Sequence, residues 1–274
     1  MKKIKLSVIS SLHYIKLIYR SALFLLALVM YILSRVRQDG ALFRGYEDSL
    51  WVLTLVGIVY TVEMVARFFP SRVESMGCQK QFRRNYIPTG KETPVLMSWK
   101  RTFAVVLAWL GLNGIIGLLY FGKVIDAGIL VLISLAYGVC DMICILFFCP
   151  FQTWFMKNRC CTVCRIYNWD FAMMFTPFVF IPSPFTWGML GLSLVLLLRW
   201  EITYHRHPER FSESTNQCLS CAHCKEKLCH HKKQLHSLWA AMRTRGYRLR
   251  TKQIPEWRTF APFGYFSAHG GSRQ

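Results

Sequence analysis

The sequence lacks the short motifs that mark the common soluble catalytic sites. It contains no glycine-rich phosphate loop, no Gly-x-Ser-x-Gly nucleophile turn and no His-Glu-x-x-His zinc motif. It also has no paired carboxylates in a soluble domain and no internal repeat. These absences argue against the familiar soluble enzyme classes, but they leave open an active site within a membrane.

Acidic residues are scarce as well. The 274 residues include 14 Asp and Glu against 34 Lys and Arg, a formal net charge of +20, yet 53% of the residues are hydrophobic. A soluble domain seldom combines these properties, whereas apolar spans with basic loops on one side explain both. No recognised nucleic-acid module is present, so the sequence favours a lipid bilayer over nucleic acid as the partner.

Long apolar runs predict the fold class. Each of four stretches approaches the roughly 20 residues that a helix needs to cross a bilayer. They cover residues 17–34, 49–69, 102–121 and 124–149. No small-x-small cleavage site follows the first run, so we expect an uncleaved span there. The sequence therefore predicts an all-α, polytopic membrane helical bundle, with a transmembrane domain at residues 1–200 and a basic tail at residues 201–274.

A fifth apolar region, residues 171–200, is long for a single crossing and contains Pro177, Pro182 and Pro184. One interpretation is a single kinked span. The other is a re-entrant hairpin that turns at the sequence IPSP and returns to the side from which it came. Non-helical backbone at that depth needs partners from other protein segments or from water.

Charge distribution favours the hairpin. With the N-terminus in the cytoplasm, the hairpin places 30 of the 34 Lys and Arg residues on the cytoplasmic side, whereas a single crossing places 16 there. The positive-inside rule prefers the first arrangement, although long tails cross membranes largely regardless of their charge. We therefore expect both the N-terminus and the tail to be cytoplasmic.

Eleven cysteines, several in Cys-x-x-Cys spacing, predict a metal site. Two such pairs supply the four thiolates of a tetrahedral zinc site. The predicted ligands are Cys161, Cys164, Cys221 and Cys224, with Cys160, Cys218 and Cys229 in reserve. In the hairpin arrangement both pairs face the cytoplasm, so one zinc ion would join the 150–170 loop to the Cys-rich segment 218–231.

Two further kinds of cysteine chemistry stay open. The run Cys218, Cys221 and Cys224 has the spacing of iron–sulfur ligands, and a cluster beside the bilayer would suit electron transfer to a membrane quinone. Cys229 lacks the proline that often follows the last ligand, which argues against a cluster. The thiols could also take part in thiol–disulfide exchange without any metal.

Two acidic residues lie inside predicted spans. Glu63 precedes Arg67 by one turn, which predicts an i,i+4 ion pair, and Asp141 shares a helix face with Cys140 and Cys144. Ionisable residues within spans are functional candidates, so a transporter or channel subunit is an alternative function. In a purely structural interpretation, the acids bind arginines of neighbouring helices and the two cysteines are small packing residues.

The tail predicts a membrane-surface contact. From residue 235 a short basic amphipathic pattern begins, with apolar positions at Leu235, Leu238, Trp239 and Met242. Such a helix most simply lies on an anionic membrane surface, so we expect the tail to bind anionic lipid headgroups.

The stretches CCTVCRIYNWD at residues 160–170, RHPERF at residues 206–211 and CAHCKEKLC at residues 221–229 resemble a group of bacterial multi-pass membrane proteins. The resemblance implies an inner-membrane protein in which these cysteines belong together, and it implies no particular reaction.

Overall fold

The computed structural model describes residues 8–36, 50–71, 76–91, 93–158 and 160–223. The described residues form helices and turns without any β-strand, apart from an isolated bridge between Pro88 and Asn216. The α-helices are α1 (Val8–Val36), α2 (Leu50–Ala66), α3 (Met76–Gln81), α4 (Trp99–Phe121), α5 (Ala127–Leu146), α6 (Asp170–Phe175) and α7 (Pro184–Arg206). The predicted helical class is therefore confirmed.

Four helices in the described part of the chain are long and apolar enough to cross a membrane. They are Ser11–Val36, Trp99–Phe121, Ala127–Leu146 and Pro184–Arg206. The first three correspond to the predicted spans at 17–34, 102–121 and 124–149.

The predicted span at residues 49–69 differs from the structure. Its apolar helix, Val52–Ala66, is shorter than the other four, because the chain leaves the α-helix in a turn just before Pro70. The fourth long helix is instead α7, which begins with Pro184 at its first position. Proline is tolerated there because the backbone N–H that it lacks would have no hydrogen-bond partner within the helix.

Helices α1 and α5 run antiparallel and are tied at both ends. At one end, the Asp126 carboxylate caps the N-terminus of α5, accepts a hydrogen bond from the Tyr31 hydroxyl at 3.0 Å and pairs with Arg35. At the other end, the rings of Tyr14 and Phe147 meet edge to face with their centroids 6.3 Å apart. These contacts fix the register of the two helices.

The chain reverses direction between α6 and α7. The Thr186 hydroxyl donates to the Ile181 carbonyl at 2.7 Å and closes the turn over residues 181–183. The two arms meet again at their other ends, where Glu201 pairs with Arg165 and accepts a hydrogen bond from the Trp169 indole at 2.7 Å. The chain therefore turns at residues 181–183, between a short arm and a long arm.

Helix α4 packs on the short arm of this reversal. The Trp109 indole donates to the Thr176 hydroxyl at 3.1 Å. Farther along, a Cβ at Gly117 would lie 2.5 Å from the Phe180 ring, so only glycine allows this approach. By contrast, Gly114 has no atom within 4 Å of the same position and faces away from the bundle.

The beginning of the tail packs on the connection between α2 and α4. The Asn216 side chain, which is fully buried, donates to the carbonyls of Lys80 at 3.0 Å and Arg210 at 2.9 Å. Nearby, the backbone N–H of Gln217 donates to the Ile87 carbonyl at 2.8 Å. These bonds hold residues 207–219 against the end of the bundle at which α2 ends and α4 begins.

Replacing Gly117 with alanine should lower stability, because the new methyl group would have to displace the Phe180 ring. We expect a loss of about 1–3 kcal/mol in the free energy of unfolding, as for other overpacked sites. The matched control is Gly114→Ala on the same helix, which should leave stability equal or slightly higher. Thermal unfolding in detergent compares the two variants, and equal melting temperatures would contradict the packing described.

Candidate functional site

A buried guanidinium joins three helices in the middle of the bundle. Arg20 of α1 has only 1% of its surface exposed. Its Nη2 atom lies 2.6 Å from the Glu63 carboxylate of α2, and its Nη1 atom lies 3.1 Å from both the Asp141 carboxylate and the Gly138 carbonyl of α5. The Tyr19 hydroxyl also donates to Glu63. Both predicted intramembrane acids therefore bind an arginine of a neighbouring helix.

A second buried pair lies beside the first. Arg67 grips the Asp170 carboxylate with both guanidinium nitrogens, at 2.8 and 2.6 Å, and stacks on Phe171 with 4.6 Å between its Cζ atom and the ring centroid. The predicted i,i+4 pair between Glu63 and Arg67 is therefore wrong. Each residue finds a partner on another element, and the bidentate geometry at Asp170 is stronger than a helix-surface pair.

A cavity of about 120 Å³ lies next to these carboxylates, and we call it the thiol-lined cavity. Its wall contains Cys140, Cys144, Cys149, Cys161 and Cys164. Two carboxylates and two thioethers also line it, from Asp141, Asp170, Met173 and Met174. Aromatic rings, including those of Trp109, Tyr137 and Phe151, form much of the rest.

Helix α5 and the residues after it supply three of these thiols. Cys140 and Cys144 are one turn apart and share a face with Asp141, as predicted. Past the end of the helix, Cys149 lines the same cavity. The backbone N–H of Gln152 donates to the Cys149 sulfur at 3.3 Å. Helix α5 and the segment that follows it therefore both contribute thiols to this wall.

A short π-helical turn brings the remaining two thiols to the same cavity. The turn, Phe151–Met156, has the wide π geometry and ends at Lys157, whose φ of 51° is left-handed. Gln152 holds the returning chain, because its side chain donates to the Asn158 carbonyl at 3.0 Å and accepts from the Cys161 thiol at 2.7 Å. The turn thereby aims the predicted Cys-x-x-Cys pair at α5.

Cys164 lies deepest in this loop, with 4% of its surface exposed. Burial raises the pKa of its thiol to about 12, although a hydrogen bond with Asn158 acts in the opposite direction. Cys161 and Cys149 are close enough to interact with it electrostatically. Cys164 is therefore a neutral thiol at pH 7, and a bound cation would be needed to displace its proton.

The predicted zinc ligands fall on different surfaces. Cys161 and Cys164 line the cavity, whereas Cys221 is exposed in a turn after Leu219, and Cys224 lies outside the described residues. Within the part of the chain that the structure describes, no three His, Cys, Asp or Glu side chains are grouped so as to hold a metal ion. A four-thiolate site is therefore not preformed among these residues.

Two of the reserve cysteines, Cys160 and Cys218, do not line the cavity. Cys160 is half-buried beside Cys161, and the Cys218 thiol donates to the Asn85 carbonyl at 3.1 Å. Cys229 lies outside the described residues, as does the amphipathic pattern that begins at residue 235.

Several residues of the cavity wall could not be predicted from the sequence. Cys149, Asp170, Met173 and Met174 were not predicted as site residues, because none of them belongs to a spacing motif. A signal existed only for α5, where Cys140, Asp141 and Cys144 share one face.

Replacing Arg20 with methionine should strongly destabilise the bundle. The change removes the buried guanidinium that Glu63 and Asp141 share and leaves Glu63 with the more exposed Lys16 at 3.7 Å, and breaking such a buried pair typically costs about 3–5 kcal/mol. The matched control is Arg35→Met on the same helix, because that arginine is 57% exposed and its pair with Asp126 is worth at most about 1 kcal/mol. Melting temperatures in lipid nanodiscs measure the difference, and a drop of the same size in both variants would contradict a central role for Arg20.

Comparison with known proteins adds no family to this description. No protein-family model matches the chain, and no curated protein or solved structure shows significant similarity to it. The resemblance seen in the cysteine motifs therefore stays a prediction. Any function must be inferred from the contacts, burial and charge of the residues themselves.

Proposed function

We propose that this chain is a multi-pass protein of the bacterial inner membrane that binds a metal ion through cysteine thiolates in the thiol-lined cavity. The observation that carries the proposal is the convergence of five thiols, from α5 and from the 149–164 loop, on one cavity. Thiolates are the strongest protein ligands for soft and borderline metal ions. A packing role explains one or two buried cysteines, but it gives no reason for five on a single wall.

The proposed topology places this cavity at the cytoplasmic end of the bundle. The contact between Arg165 and Glu201 supports a re-entrant arrangement of residues 171–200, since both arms begin and end on one side. With that arrangement, 30 of the 34 Lys and Arg residues lie on the cytoplasmic side, as the positive-inside rule prefers. In the reducing cytoplasm the cysteines stay available as thiols.

A second candidate is the zinc clamp, in which Cys161 and Cys164 share one zinc ion with Cys221 and Cys224. It is favoured by the position of α3, which is bonded to both segments. The Asn168 side chain donates to Gln81 at 2.7 Å, and Asn216 of the tail donates to the Lys80 carbonyl at 3.0 Å. The loop and the tail therefore both contact one short helix.

An iron–sulfur cluster and a transport path through the bundle receive less support. A cluster needs four cysteine ligands. Three of the ligands proposed for it come from the tail, namely Cys218, Cys221 and Cys224. Cys218 instead bonds to a backbone carbonyl. A transport path through Glu63 and Asp141 would have to compete with Arg20, which binds both carboxylates.

The topology predicts opposite outcomes for two reporter fusions. A fluorescent protein fused after His223 should fluoresce, whereas alkaline phosphatase fused at the same point should be inactive, because the tail is expected in the cytoplasm. The pattern should invert for fusions after Lys123, in the connection between α4 and α5. Active phosphatase after His223 would show that residues 171–200 cross the membrane once and would contradict the re-entrant arrangement.

Elemental analysis of protein purified without oxygen tests the metal site. We expect about one metal ion per chain, lost in Cys161→Ser/Cys164→Ser and retained in the matched variant Cys221→Ser/Cys224→Ser. Loss in both double variants would favour the zinc clamp, and labile sulfide with visible absorption would favour an iron–sulfur cluster. Retention of the metal in Cys161→Ser/Cys164→Ser would contradict the proposed site.

A further inference from the structure

Two of the thiols in the thiol-lined cavity belong to a single turn of the chain. Cys161 begins a 3₁₀ turn, and the backbone N–H of Cys164 donates to the Cys161 carbonyl at 3.0 Å. Side chains three residues apart lie over one another in such a turn, and both cysteines line the cavity. We propose that this dithiol reduces a lipid-soluble quinone that enters the cavity from the membrane. The reaction goes beyond the proposed function, because it belongs to the metal-free thiols.

The turn suits the formation of a disulfide bond. A bond from residue i+3 back to residue i keeps their Cα atoms within about 7 Å. Disulfides join residues whose Cα atoms are about 4.4–6.8 Å apart. Cys161 is half-buried, whereas Cys164 is buried. Cys161 is therefore the thiol that a substrate reaches first, and Cys164 is the protected partner that completes the bond.

The cavity reaches the surface of the bundle at membrane depth. Cys140 lines the cavity and is exposed, and it lies about 9 Å of helix before the end of α5 at Leu146. Helix α5 is one of the four that are long and apolar enough to cross a membrane. With α5 in the bilayer, this part of the wall faces lipid. A lipid-soluble molecule can therefore reach the cavity without passing through water.

The size and the lining of the cavity suit a small planar ring. Its volume is about 120 Å³, and an engineered protein cavity of about 150 Å³ accepts benzene. In the wall, the ring centroid of Trp109 lies 4.7 Å from that of Tyr137 and 6.2 Å from that of Phe151. Aromatic rings pack favourably at these distances. A quinone ring can pack on this wall in the same way while its apolar chain stays in lipid.

Charge on the wall favours a neutral substrate. The Asp141 carboxylate is paired with Arg20 at 3.1 Å, and that of Asp170 with Arg67 at 2.6 Å. These two carboxylates are therefore already matched by guanidinium groups. A charged substrate would add an ion among apolar helices, where buried charge is strongly disfavoured. A quinone adds none.

The reaction also leaves every participant neutral. The S–H bonds of Cys161 and Cys164 break, and one S–S bond forms between the two sulfur atoms. The two electrons and two protons that the thiols release pass to the quinone, where two O–H bonds form and give a quinol. No net charge appears in the cavity, so the reaction avoids the cost of burying an ion.

Single-turnover oxidation by decylubiquinone tests the proposal on the full chain in detergent. The protein is first reduced, stripped of metal with a chelator and kept without oxygen. The ring of this quinone is fully substituted, so thiols do not add to it. We expect one quinol per chain, measured by the loss of quinone absorbance, and a disulfide between Cys161 and Cys164 in the peptide mass spectrum.

Variants identify the thiols that react. Cys161→Ser and Cys164→Ser should each abolish quinol formation, because neither can form the disulfide. The matched control, Cys218→Ser/Cys221→Ser, should stay within about twofold of the wild-type rate, because those residues do not line the cavity.

Three results would overturn the proposal. They are no quinol from wild type, an unchanged yield from Cys161→Ser, and a wild-type disulfide between other cysteines. The last is read on wild type and does not depend on a variant that folds. Metal content is measured before the chelator is added, so the failure of this reaction and the failure of the metal site are distinguished.

Discussion

The arrangement of this protein depends on one guanidinium buried between apolar helices. An arginine at such depth is tolerated only with anionic partners, and Arg20 finds two of them, Glu63 and Asp141. Because the two carboxylates belong to different helices, neither can leave without exposing a charge to an apolar environment. The contact therefore sets the positions of α2 and α5 relative to α1. Hydrophobic packing alone would allow each helix to slide or rotate.

A second buried arginine–carboxylate pair lies beside the cavity. A second buried guanidinium, Arg67, holds Asp170 at the start of α6, where that carboxylate lines the gap between α5 and α6. The carboxylates at the edge of this gap are already neutralised, so its chemistry is left mainly to sulfur. The turn after Cys149 then adds Cys161 and Cys164 to the wall. Structural ion pairs thus leave sulfur as the main donor atom on the wall of the cavity.

The predictions succeeded where a signal is local. Apolar runs predict α1, α4 and α5. The sequence did not identify Arg20 as the partner of the two intramembrane acids. Arg20 is 43 residues from Glu63 and 121 residues from Asp141 along the chain. The length of α2 was overestimated, since the apolar run continues past the point where the helix ends.

The sequence predicts two separate parts of the candidate site, but it does not predict that they meet. Cys-x-x-Cys spacing identifies Cys161 and Cys164, and helical periodicity groups Cys140 with Cys144. That the halves meet depends on a π-helical turn and a left-handed Lys157, for which the sequence gives no recognisable signal. The predicted partnership with the tail cysteines stays a prediction, since Cys224 and Cys229 lie outside the described residues.

The most direct test of a metal-binding thiol cavity is differential alkylation of the cysteines in native membranes, read residue by residue by mass spectrometry. We predict that Cys161 and Cys164 react slowly with a small maleimide and become reactive after a membrane-permeant chelator is added. Exposed Cys221 should react equally in both conditions. If the chelator leaves the reactivity of every cavity cysteine unchanged, the cavity holds no metal ion and the account is contradicted.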